Sequence, residues 1–120
     1  MNKFISRSSQ ILLLLLALLV FPVATYAQNT DPTRWEETMQ RFEQQDLLDP
    51  PPEGAILLTG SSSIARWNDQ AAAALAPLTV IPRGFGGSVM GDVLYHLERV
   101  ALKYKPRAIL IYEGDNDTSY

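Results

Sequence analysis

The sequence predicts an α/β fold built on three parallel strands, and three observations carry that prediction. Residues 55–59, 78–81 and 108–112 are short apolar runs without alternation, the pattern of strands buried on both faces. Stretches with helical spacing separate them, long enough for parallel crossovers. Each run ends in a glycine- or proline-marked turn: Gly60-Ser61-Ser62-Ser63, Arg83-Gly84-Phe85-Gly86-Gly87-Ser88 and Glu113-Gly114-Asp115-Asn116-Asp117.

The elements follow in order along the 120 residues. Lys3 and Arg7, then the leucine-rich stretch 11–20, then Thr25-Tyr26-Ala27 read as a secretory signal peptide cut after Ala27. The apolar core is too short for a spanning helix, with an uncleaved anchor as the rival reading. Residues 28–53 are expected to form a leading amphipathic helix and a proline-rich connection. Thr33 and Glu36 suggest a capping box, and Trp35, Met39 and Phe42 form one stripe of a helix over 34–46. Pro50-Pro51-Pro52 closes it. The first strand follows, then a helix start over 61–67. A further turn over 71–75 is expected to be capped by Asn68 and stopped by Pro77. After the second strand, Ser88 is expected to cap one continuous helix to Tyr104, with Val93, Leu97, Val100, Ala101 and Tyr104 inward. Pro106 ends it before the third strand.

Composition narrows the function. Removing Lys3 and Arg7 from the 10 basic residues leaves 8 against 13 acidic ones, a net charge of −5, which argues against a nucleic-acid partner. There is no cysteine, so an exported domain of about 93 residues must rely on its apolar core. One histidine and no thiol give little support for a metal.

In open parallel sheets, ligands bind beyond the carboxyl ends of the strands, where strand order reverses. If the first strand lies between the other two, Ser62, Gly87 and Asn116 converge there. A serine after Gly60 can serve as a nucleophile, as a plain helix cap or as part of a phosphate cradle. Glycines 84, 86 and 87 allow close approach of a ligand and an exposed N–H for an oxyanion, or simply a turn. Asn116 can donate from its side chain, whereas Asp115 and Asp117 cannot while ionised. Glu113, Asp115 and Asp117 could otherwise be a polar loop or weak metal ligands. His96 falls with Asp92, Arg99 and Lys103 on the polar side of its helix, so it is expected to be solvated beside Asp92 rather than catalytic. Trp67 and Phe85 flank the three turns, as core or as the wall of an apolar pocket.

Taken together, these turns resemble the three leading blocks of the SGNH hydrolases, the GDSL-like lipase/acylhydrolase family. Gly60-Ser61-Ser62-Ser63-Ile64 is similar to the first, with Ser61 where the family usually has Asp. The resemblance covers residues 54–117. It implies a flavodoxin-like three-layer sandwich, with Ser62 as nucleophile, Gly87 as the backbone oxyanion donor and Asn116 as the side-chain donor. It implies a small-molecule ester substrate, an acyl-enzyme and no cofactor. The family's last block, Asp-x-x-His, supplies the base, and residues 1–120 do not contain it. The expectation is therefore that residues 54–120 are the N-terminal portion of a secreted or periplasmic esterase domain, truncated after the third strand and inactive as it stands. The resemblance also leaves strand 108–112 as an apolar edge open to self-association. The competing expectations are a non-catalytic secreted binding module or enzyme remnant, and a phosphate or flavin binder.

Overall fold

A computed structural model describes residues 31–118; the expected signal peptide at 1–27 lies outside the described residues. Asp31 accepts from Thr33 N at 2.9 Å and from Thr33 Oγ1 at 2.7 Å, capping a 3-10 turn, Pro32–Trp35. That turn runs into helix α1, Glu36–Leu48. The capping box expected at Thr33 is replaced by this cap two residues earlier. Pro32 is preset for a first helical position and lacks an N–H to satisfy, so Asp31 becomes the cap. Met39 and Phe42 are buried and Trp35 packs beside them, as the helical stripe predicts.

Strand β1 is Ile56–Gly60, β2 is Val80–Gly84 and β3 is Ala108–Tyr112. They form one sheet in the order β2-β1-β3, with both pairs parallel. Ile56 aligns with Val80 and Ala108, and Gly60 with Gly84 and Tyr112. The second strand therefore begins two residues later than the apolar run and takes in Pro82. Gly84 turns its N–H and carbonyl outward to the Asn68 side chain, both at 2.9 Å. Pro82, two residues earlier, faces the same open side, where its missing N–H leaves no ladder bond unmade. Asn68 thus clamps a strand edge rather than capping a helix.

The sheet lies between two cores. Leu57 and Ile81 face α1 together with Phe85, Val93, Val100 and Tyr104. Leu58 faces the opposite way, onto Ile64 and Ala71, with Trp67, Leu75 and Val80 closing that side. Helices α2 (Ser62–Ala65) and α3 (Ala71–Ala74) carry the first crossover. Helices α4 (Met90–Tyr95) and α5 (Leu97–Val100), with a 3-10 turn at Leu102–Tyr104, carry the second. The single helix expected over 88–104 is broken where His96 and Ala101 leave helical angles, at φ −93° and −137°. No Pro or Gly between residues 92 and 104 marks these breaks.

His96 and Asp92 are each 1% exposed, which corrects the expectation of a solvated pair. The turn Pro32–Trp35 covers them: the Pro32 carbonyl accepts from His96 Nε2 at 2.8 Å, and Arg34 binds Asp92 at 2.5 Å. The rest of that polar stripe meets α1. Arg99 pairs with Glu36 and Glu43, and Lys103 with Asp46. A polar helical face here is an ion-paired helix contact. Among the described residues no helix is long and apolar enough to cross a membrane.

Candidate active site

The three glycine-bearing turns meet at the carboxyl edge of the sheet. With β1 between β2 and β3, the loop after each outer strand lies beside the loop after the central one. This is the place where open α/β sheets hold ligands.

Gly60 makes the first turn possible. Its φ is +136°, and a Cβ there would meet the Tyr112 carbonyl oxygen at 2.0 Å. The close approach lets Ser61 N donate to that same carbonyl at 3.2 Å. Ser61 is then 4% exposed, with its hydroxyl between the other two loops. Gly87 N donates to Ser61 Oγ at 3.2 Å, and Asn116 Nδ2 donates to it at 2.5 Å. Asn116 Nδ2 also donates to the Ser88 carbonyl at 2.7 Å. Gly87, at φ +91°, sits in the left-handed region that lets its N–H turn inward.

Ser61, not Ser62, is therefore the hydroxyl that joins the three loops. Ser62 is half-buried at the start of α2. It lies against the open face of Gly86, where an added Cβ would stand 3.5 Å from Ser62 Cα and 3.7 Å from Ser62 Cβ. Gly86 and Ala65 continue into a groove of about 580 Å³ along the outer edge of β2, lined also by Trp35, Arg41, Asn68 and Phe85. Phe85 is core, 2% exposed, and forms the groove's floor; Trp67 packs into the opposite core.

Two further residues complete the site, and the sequence reading gave them other roles. Ser88 is fully buried, and its hydroxyl donates to Glu113 Oε1 at 2.7 Å instead of capping a helix. The cap belongs to Val89, whose N–H is accepted by Asp92 at 3.0 Å. Glu113 Oε2 is buried with no hydrogen-bond partner among the described residues. Burial pushes the Glu113 carboxyl above its ordinary range, helped by the negative charges of Asp117 and Asp92 and opposed by the Ser88 and Ser61 hydrogen bonds. Asp117 accepts from Met90 N at 3.1 Å and ties the third loop to the start of α4. His96 is held by Pro32 and by edge-on contacts with Phe85 and Tyr95.

Among the described residues no group of histidines and carboxylates could hold a metal ion. No family model matches the sequence, and no curated protein matches it either. The functional reading therefore rests on the resemblance of the three turns and on this geometry.

Proposed function

We propose that the chain carries the nucleophile and oxyanion loops of an exported serine ester hydrolase of the SGNH type, with a flavodoxin-like three-layer fold. The observation that carries the reading is the meeting of Gly87 N and Asn116 Nδ2 on a serine hydroxyl beside Ser62. Two neutral donors from the loops after separate strands, converging on one oxygen at a sheet's carboxyl edge, are the arrangement that stabilises an oxyanion.

Burial separates the two serines. A nucleophile must be reached by its substrate, and Ser61 is enclosed while Ser62 is half-exposed beside the groove. In this reading Ser62 Oγ attacks the ester carbonyl, the alcohol leaves, and water releases the acid from the acyl-enzyme. Ser61 stands where the family usually has Asp, and its oxygen accepts from Gly87 and Asn116 without adding a charge. In this reading the substrate's oxyanion displaces Ser61 Oγ from Asn116 Nδ2 when it binds. The base and its orienting carboxylate belong to an Asp-x-x-His block not found within residues 1–120. General-base assistance is worth about 10²–10⁴-fold, so these residues alone hydrolyse slowly. Localisation beyond the inner membrane, after a cut at Ala27, belongs to the same reading.

The test is hydrolysis of p-nitrophenyl acetate by the full-length protein. Ser62→Ala is expected to abolish turnover. Undiminished turnover in that variant would overturn the reading.

A second reading has its own observation. Ile109, Leu110, Ile111 and Tyr112 of β3 are 38–49% exposed. An apolar edge of this kind favours pairing with another strand, including that of a second copy.

A further inference from the structure

Glu113 has no part in the reaction just proposed, yet its carboxyl is linked to the site through one residue. Ser88 donates its hydroxyl to Glu113 Oε1 at 2.7 Å, and its carbonyl receives Asn116 Nδ2 at 2.7 Å. Ser88 thus has one group on Glu113 and the other on the amide that touches Ser61. The other carboxyl oxygen of Glu113 is buried without a partner among the described residues. Burial of that oxygen penalises the ionised form and pushes the carboxyl up, while the Ser88 and Ser61 hydrogen bonds pull the other way.

We propose that Glu113 is a positioning residue: its carboxyl anchors the Ser88 hydroxyl and so holds the Ser88 carbonyl where it orients the Asn116 amide toward Ser61, and its protonation loosens that hold. The proposal rests on the reading of Asn116 as an oxyanion donor only for its consequence in catalysis; the linkage itself is a property of the folded chain. The surroundings favour that protonation. The charged groups acting on Glu113 are Asp117, from its own loop, and Asp92, from α4, and both are acidic. Arg34 is bound to Asp92. Ionisation of Glu113 would place a third negative charge beside them and send its proton to solvent. The ionised form binds the Ser88 hydroxyl more tightly, so protonation loosens the contact on which Asn116 leans.

The experiment is an NMR titration of the full chain, following the Glu113 side-chain carboxyl carbon and the Asn116 side-chain amide peaks. The Glu113 midpoint is expected above the ordinary glutamate value of about 4.3, with the Asn116 peaks moving at the same midpoint. In Glu113→Gln the Asn116 peaks should stay at the wild type's low-pH positions throughout. In Ser88→Ala, which keeps the carbonyl, Glu113 should still titrate while Asn116 stops responding. A Glu113 midpoint at or below the ordinary value would overturn the proposal. So would Asn116 peaks that titrate unchanged in either variant. These readouts need no turnover, so a failed ester assay alongside the expected titration would reject only the hydrolase reading.

Discussion

Asn116, on the loop after β3, donates to the hydroxyl of Ser61, on the loop after β1, at 2.5 Å. The bond ties together residues 55 positions apart and closes the carboxyl edge of the sheet. Asn116→Asp keeps the shape but replaces the donor with a carboxylate facing the Ser88 carbonyl. We expect a loss of about 1–3 kcal/mol in urea unfolding, with Ser61→Ala milder because it leaves Asn116 its Ser88 partner.

The Asn68 clamp on Gly84 gives a second prediction. Its amide makes both backbone bonds that a neighbouring strand would otherwise make at Gly84. Asn68→Ala should cost about 1–3 kcal/mol and speed hydrogen exchange at Gly84 N–H, while Leu57 and Leu58 amides in β1 keep their protection relative to global stability.

Glycine requirements differ sharply across the fold. Gly84→Ala places a Cβ 2.3 Å from the Ala65 backbone nitrogen, and Gly60→Ala meets the Tyr112 carbonyl. Either should cost about 3 kcal/mol or more. Gly91, in α4, has nothing within 4 Å of an added Cβ. Gly91→Ala should therefore raise stability by about 0.5–1 kcal/mol. Thermal unfolding of the three variants checks the ordering.

Two carboxyls should give stability opposite dependences on pH. Burial raises Asp46, but hydrogen bonds from Tyr104 and Lys103 and the charge of Arg83 more than offset it and leave it below its ordinary range. Its stabilisation is present above the unfolded value and is lost as pH falls through the folded one. Glu113 is raised, so its contribution is full below the unfolded value and is lost as pH rises through the folded one. Melting temperatures measured against pH should thus lose acid sensitivity in Asp46→Asn and lose part of the decline above the ordinary glutamate range in Glu113→Gln.

Apolar pattern and turn chemistry made the sheet readable. Residues 108–112 form β3 with the expected bounds, and the central position of β1 is what the convergence of the three turns required. What escaped the pattern depends on contacts made at a distance. A helix face bearing Asp92, His96, Arg99 and Lys103 looks solvated until Pro32, Arg34 and α1 are laid over it. Asn68 and Ser88 carry cap-forming side chains, and each spends its side chain on a partner 16 or more residues away. The turn spacing and strand order bring the three loops together. The spacing could not tell which of two adjacent serines turns inward, because the φ of Gly60 and the approach of Tyr112 decide that.

The most direct test of the central claim is the position of covalent serine modification. The full chain, treated with a fluorophosphonate and analysed by peptide mass spectrometry, should carry the label on Ser62. Ser62→Ala should remove it, and Ser61→Ala should retain it at a reduced rate. Label on Ser61 that persists in Ser62→Ala would contradict the account. So would modification of several surface serines at equal rates.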